Sequence, residues 1–499
     1  MTTRLLHQLF RLRLTAAWLA ALTLLTSCRR GDSAAHSEIE VLCAVSLRVP
    51  VEEAARAYEA AGLGKVRLQF GGSQSMLAAL EVSGKGDIFL PADLSYVSAA
   101  RARNLVRETV SLAEMKAVVA VAKGNPGGIS AMSDLQKDGW RVVLANPELA
   151  AISQLAKKAL PPQTWETLAA RAVAMKPTVN EVANDIVLGA ADAGLVWDVT
   201  VLQTKGLESV AVPELAAVTG AAAGAVATAS TQPAAALRFL RWLASPEKGG
   251  PVFSRHGYSV VRGDGWVETP TLTLMAGAML RPAVEPALVA FEQREGCRVE
   301  RVYNGCGILV GQMKAATPGD VFFACDSSFM RRMTDVFPDP VDISTNRLVI
   351  LVPRGNPRGL RTLQDLGQPG LRLGIGHDKQ CSLGVITQTT LAQSGWREAV
   401  MQNVAVQSPT GDLLVNQLLA GGLDAALTYV SNAAGSADKL EALAVGLDCA
   451  TASQSLGIAK GTKFPQLAAR LREALRSADS RARFEALGFG WKAAETPEK

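Results

Sequence analysis

Ser46 and Ser73 are the first residues of this chain whose type and position suggest chemistry. Each follows a short apolar run, Glu40 to Val45 and Val66 to Phe70, and Gly71-Gly72 stands directly before Ser73. A serine in such a place can simply cap a helix. Two of them, beside glycines that let backbone approach closely, also form an anion cradle of hydroxyls and free N–H groups aimed at one point. Apart from Arg48, no Lys or Arg flanks either loop suitably. Neutral donors alone can hold a fully ionised oxyanion, and they reject protonated competitors that would set a donor against a donor.

Strands and helices must aim these loops. Val51 to Ala61 and Met76 to Glu81 have helical spacing, while Asp87 to Leu90, Met115 to Ala122 and Arg141 to Leu144 read as buried strands. Such alternation predicts an α/β fold with parallel sheets covered on both faces. Ligands of open sheets sit beyond the carboxyl ends of the strands. Ala92-Asp93, after Ile88-Phe89-Leu90, is therefore a third position of interest, with Asp93 expected as a helix N-cap or hinge anchor.

The pattern occurs twice. Phe70-Gly71-Gly72-Ser73 returns as Tyr303-Asn304-Gly305-Cys306, and Asp87-Ile88-Phe89-Leu90-Pro91-Ala92-Asp93 as Asp320-Val321-Phe322-Phe323-Ala324-Cys325-Asp326. Ser73 and Cys306 stand 233 positions apart, as do Asp93 and Asp326; Gly124 and Gly355 stand 231 apart. An offset that long and that constant marks a repeated globular domain rather than a solenoid. Positions that agree report the fold, and positions that differ report what each copy binds.

The N-terminus reads as an export signal. Arg4, Arg11 and Arg13 precede an apolar run, Leu14 to Leu25, that is short for a membrane span. Leu25-Thr26-Ser27-Cys28 resembles a bacterial lipobox, which implies lipidation at Cys28. The division expected is a signal at 1–27, a tether at 28–37, one domain at 38–262, a polar linker at 263–270, a second domain at 271–491 and a tail at 492–499. The expected location is outside the cytoplasm, periplasmic or cell-surface, held to a bacterial membrane by lipid only. Net charge is +5 without a basic block or an aromatic-and-basic stripe, so nucleic acid is not an expected partner.

Ala44-Val45-Ser46-Leu47, Phe70-Gly71-Gly72-Ser73, Asn146-Pro147-Glu148 and Gly194-Leu195-Val196-Trp197, in this order, resemble the periplasmic molybdate-binding proteins of ABC importers. So does Ser245-Pro246-Glu247 leading to Gly257-Tyr258. The resemblance implies two tandem type II periplasmic-binding-protein-like domains, each of two α/β lobes joined by a hinge. It implies molybdate or tungstate as ligand, an ABC permease and ATPase as partners, and no catalysis. Ligand contacts would fall on Ser46, Ser73, Ala92, Ile152, Val179 and Trp197, several through backbone N–H. Trp197 stands where that family usually has a Tyr, which Tyr429 restores in the second copy.

The second copy rewrites the pocket. Ser46 is matched with Ala278, Ser73 with Cys306, Ala92 with Cys325 and Val179 with Gly411, while the loop at 146–150 becomes His377-Asp378-Lys379-Gln380-Cys381. Three cysteines and a histidine thus fall on mapped pocket positions. They act as small hydrophobes, or Cys306 pairs with Cys381 across the cleft, or Cys306, Cys325, Cys381 and His377 hold a thiophilic metal or metalloid. Cys297 and Cys449 are candidates for a separate disulfide.

Enzyme signatures are missing. There is no Gly-x-Ser-x-Gly elbow or P-loop, and Gly374-Ile375-Gly376 lacks the third glycine of a dinucleotide fingerprint. Of the four histidines only His377 is placed for chemistry, and its neighbour Cys381 has no recognisable oxyanion hole. The function expected is therefore a solute-binding lipoprotein delivering an oxyanion to an importer. The alternative is a non-transport metal-binding or ligand-sensing module that uses the thiols of the second domain.

Overall fold

The computed structural model describes residues 38–493, so the expected signal, Cys28, the tether and most of the tail lie outside the described residues. The first half contains strands β1 (Glu38–Ala44), β2 (Lys65–Gly71), β3 (Ile88–Leu90), β4 (Val106–Ala122), β5 (Val142–Ala145), β6 (Ala172–Lys176), β7 (Ala193–Trp197), β8 (Leu207–Val210), β9 (Thr219–Ala227) and β10 (Ser259–Val260). The second contains β11 (Thr271–Gly277), β12 (Arg298–Asn304), β13 (Val321–Phe323), β14 (Val341–Pro353), β15 (Leu373–Gly376), β16 (Val404–Ser408), β17 (Ala425–Tyr429), β18 (Leu440–Ala444), β19 (Thr451–Ile458) and β20 (Gly490–Trp491). The strand orders are the same: β2-β1-β3-β9-β4-β7-β5-β6 and β12-β11-β13-β19-β14-β17-β15-β16.

The sheets are mixed, where wholly parallel ones were expected. β1 runs parallel to β2 and β3, and β5 parallel to β6 and β7. β4 and β9 run antiparallel to their neighbours. The reason is the hinge. β4 pairs with β9 from Val106 to Lys116 in one lobe, and with β7 from Ala117 to Val121 in the other. One long strand thus crosses between lobes and β9 returns, as the resemblance implied. β9 escapes sequence reading because Thr-Gly-Ala-Ala-Ala-Gly-Ala-Val-Ala has almost no β-branched residues. Its small side chains are needed: a Cβ on Gly224 would lie 2.2 Å from Leu240 Cδ2 of the helix Pro233–Ala244.

The segment expected as a polar linker, 263–270, is anchored by Asp264 and Trp266, while Val267 to Thr269 are exposed. Asp264 is 2% exposed and accepts the amides of Gln466 (2.8 Å) and Leu467 (3.1 Å), capping the helix Pro465–Leu475 of the second half. Trp266 packs edge-on against Trp242 at 4.8 Å. Nearby, buried Glu295 accepts Arg470 Nε at 2.6 Å and Nη2 at 3.0 Å, and Arg241 Nη1 donates to the Glu295 carbonyl at 2.8 Å. The lobe containing β1 is therefore fused to the lobe containing β11, and each half's other lobe stays outside that joint. Among the described residues no helix is long and apolar enough to cross a membrane.

Candidate functional site

Each half has a small cavity between its lobes, about 20 Å³ in both. That volume suits one compact species. In the first half it is lined by Ala44, Val45, Ser46, Gly71, Gly72, Ser73, Ala92, Ala150, Ala151, Thr178, Val179 and Trp197. No side chain in that lining carries charge.

The donors come from chain geometry. Ser73 opens the helix Ser73–Ser83, Ala151 the helix Ala151–Ala159 and Val179 the helix Val179–Val187. The first amides of a helix have no intrahelical acceptor, and three such termini meet here from both lobes. Ser46 sits in the short 3-10 turn Val45–Leu47 rather than at a cap, and Ser73 is one residue inside its helix, after Gly72. Neither serine caps a helix. Instead Ser73 Oγ accepts the Ala92 amide at 3.1 Å, which leaves its proton available to the cavity. Tyr258 Oη donates to the Ser46 carbonyl and pins that turn from below. Asp93 is the N-cap expected: one oxygen accepts Ser95 N at 2.9 Å and the other accepts Ala221 N of β9 at 3.1 Å.

The lobes are closed around the cavity. Gln74 N donates to Leu149 O across the cleft at 3.3 Å, and in the second half Gly307 N donates to Gln380 O at 2.9 Å. Such a cleft, ringed by helix N-termini and shut by a crossover hinge, belongs to a protein that captures a solute. The sequence model for "Bacterial extracellular solute-binding protein" matches residues 39–259 and again 272–490.

The chain belongs to the bacterial extracellular solute-binding proteins.

Relatives of this solute-binding protein each match about one half of it. The molybdate-binding protein ModA of Mycobacterium tuberculosis is 29% identical over 233 residues, 46% of this chain and 87% of the relative. A putative binding protein of Haemophilus influenzae is 27% identical over 226 residues, 45% of this chain and 92% of the relative. Among solved structures, the Azotobacter vinelandii periplasmic molybdate-binding protein superposes with a TM-score of 0.39 at 18% identity, covering 45% of this chain and 99% of that one. Members of the family are binding proteins, in keeping with the missing enzyme signatures.

Five of the six positions proposed in the first half of this solute-binding protein line the cavity: Ser46, Ser73, Ala92, Val179 and Trp197. Ile152 is fully buried and does not; its neighbours Ala150 and Ala151 do. In the second half Ala278, Gly411, Tyr429, Cys325 and Cys381 line the cavity, and Cys306 lies behind it, fully buried. One pairing needs correction. The turns Val45–Leu47 and Ala278–Leu280 align end to end, so Met279, not Ala278, stands where Ser46 stands. The second cavity also has hydroxyls. Ser382 begins the helix Ser382–Ser394, its Oγ lies 3.1 Å from Tyr429 Oη, and both line the cavity with Thr410. Ser382 had no signal in the first copy, where Ala151 opens the equivalent helix.

The metal set proposed from Cys306, Cys325, Cys381 and His377 does not assemble. Among the described residues no group of three or more His, Cys, Asp or Glu is placed to hold a metal ion. His377 sits outside the cavity, its Nδ1 accepting the Lys379 amide at 3.2 Å. Burial raises the Cys381 thiol to about 11, and burial with the neighbouring Cys325 raises Cys306 well above its ordinary value. Metals bind the thiolate, and no cation lines this cavity to favour it. The disulfides considered are also not formed: Cys297, Cys306, Cys381 and Cys449 are all free.

Proposed function

We propose that the first domain binds a small tetrahedral oxyanion of the molybdate or tungstate class and that the protein delivers it to an ABC importer. The observation that carries this is a closed cavity, free of charged side chains, on which Ser46, Ser73 and three helix N-termini converge. Backbone amides and hydroxyls at helix N-termini favour a fully ionised, compact anion. The lining is compact and uncharged, and a relative at 29% identity is a molybdate-binding protein, which supports the same class. Trp197 in place of a phenol leaves the choice among tetrahedral anions to the measurement. Lipidation of Cys28 would hold the protein at the outer face of a membrane, where a permease and ATPase would receive the cargo.

The test is calorimetric titration of the full chain with molybdate, tungstate and sulfate, read beside thermal stability. A ligand that binds only the folded state raises the melting temperature with concentration. Heat and a stability gain with at least one of the three are expected. No response to any of them would overturn the reading.

A further inference from the structure

We propose that Cys306 and Cys325 of the second domain form a redox-convertible dithiol that closes to a disulfide at the wall of the pocket. The Cys325 amide donates to Cys306 Sγ at 3.0 Å. A sulfur that close to the peptide nitrogen of its partner lies beside the partner's side chain, so rotation about the two Cα–Cβ bonds can bring the sulfurs together.

The surroundings are cut to fit the second sulfur. Register along β1 and β11 places Gly277 where the first domain has Ala44, and Cys325 where it has Ala92. A Cβ on Gly277 would lie 2.0 Å from Cys325 Sγ and 3.3 Å from Cys306 Sγ. The first domain thus combines Ala44, Ser73 and Ala92, and the second combines Gly277, Cys306 and Cys325. Loss of a methyl group next to a gained thiol shows that both sulfurs are accommodated. A protein of an extracellular family meets oxidising conditions, in which neighbouring thiols pair.

The chemistry is thiol–disulfide exchange with a disulfide-bearing oxidant, an oxidoreductase in the cell or oxidised glutathione in the tube. With the lobes parted at the hinge, Cys325, which lines the cavity, loses its proton and attacks the oxidant's disulfide, releasing one oxidant thiol and leaving a mixed disulfide on Cys325. Cys306, sealed behind it, then loses its proton and attacks the Cys325 sulfur. The second oxidant thiol departs, and both protons leave with the two thiols. Two cysteines are oxidised and one disulfide is reduced. The pocket thereby loses the Cys325 S–H and keeps the thiol of Cys381 with the hydroxyls of Ser382, Thr410 and Tyr429.

The experiment exposes the reduced full chain to oxidised glutathione, alkylates it after unfolding and maps the cysteines by peptide mass spectrometry. The expected product has lost two hydrogens and contains a peptide joining Cys306 to Cys325, also in Cys381→Ala. Cys306→Ser restores the first domain's own Ser73 arrangement, so it should fold, and it should trap glutathione on Cys325. Cys325→Ala should give no adduct on Cys306. An unchanged number of alkylatable thiols after oxidation, or a bond from Cys381 to either partner, would overturn the proposal.

Discussion

Ser73 Oγ accepts the Ala92 amide at 3.1 Å, and this one contact turns a serine that sequence would make a cap into a donor aimed at the cavity. The second domain keeps the same contact with sulfur, from the Cys325 amide to Cys306 at 3.0 Å. The scaffold therefore holds the acceptor role constant, but Ser73 lines its cavity whereas Cys306 lies behind the other one.

Ser73→Ala removes that donor and leaves the Ala92 amide without its acceptor. Affinity for the oxyanion of the first domain should fall by about 1–3 kcal/mol, read by calorimetry. Ser73→Cys should give an intermediate loss. Unchanged affinity in both would place the anion elsewhere.

Gly277→Ala forces a methyl to within 2.0 Å of Cys325 Sγ. It should destabilise the chain by about 1–3 kcal/mol as an overpacked core does, measured by urea unfolding. Adding Cys325→Ala recreates the Ala44–Ala92 pairing and should recover most of the loss. Additive losses would contradict the coupling.

Trp197 depends on Gly220 in the same way. A Cβ on Gly220 would lie 2.9 Å from the indole ring, and register puts Ala452 opposite Asn346 in β14, as Gly220 is opposite Met115 in β4. The larger ring thus goes with Gly, and Tyr429 goes with Ala. Gly220→Ala alone should lower stability and anion affinity. Gly220→Ala with Trp197→Tyr should restore the melting temperature, and failure to do so would break the link.

Glu295 is 1% exposed and accepts from Nε and Nη2 of the Arg470 guanidinium. Glu295→Gln leaves buried charge uncompensated at the joint between the halves and should cost about 3–5 kcal/mol. The expected readout is a single unfolding transition that separates into two, with anion affinity of the first domain retained in the folded protein. A wild-type unfolding curve would show that the joint carries no stability.

Burial holds the Cys381 proton in the folded state to about pH 11, whereas an unfolded cysteine releases it near pH 8.5. Above the unfolded value the unfolded chain binds fewer protons, so stability falls as pH rises towards the folded value. The loss reaches about 3 kcal/mol at the upper end. Cys381→Ala should flatten this alkaline decline in chemical denaturation, and an unchanged slope would assign the decline to other groups.

Two tandem α/β units, the strand-end positions of Ser46, Ser73 and Ala92, and the N-cap role of Asp93 were legible in the sequence. They depend on local periodicity, on cap chemistry and on a constant offset between copies, all of which are written along the chain. The return strand Thr219–Ala227 was not legible, because its Ala and Gly residues answer to Leu240 packed on them rather than to strand propensity. Met279 as the partner of Ser46 needed the sheet register, which a one-residue ambiguity in sequence cannot resolve.

By itself the sequence determined the repeated fold, its solute-binding family and most of the loops that line the cavities. Only the tertiary structure decided which atoms meet there. It turned Ser73 away from capping, brought Ser382 to Tyr429, set His377 outside the pocket and anchored the linker through Asp264. These outcomes depend on side-chain direction and on contacts between residues far apart in the chain, and spacing along a sequence carries neither.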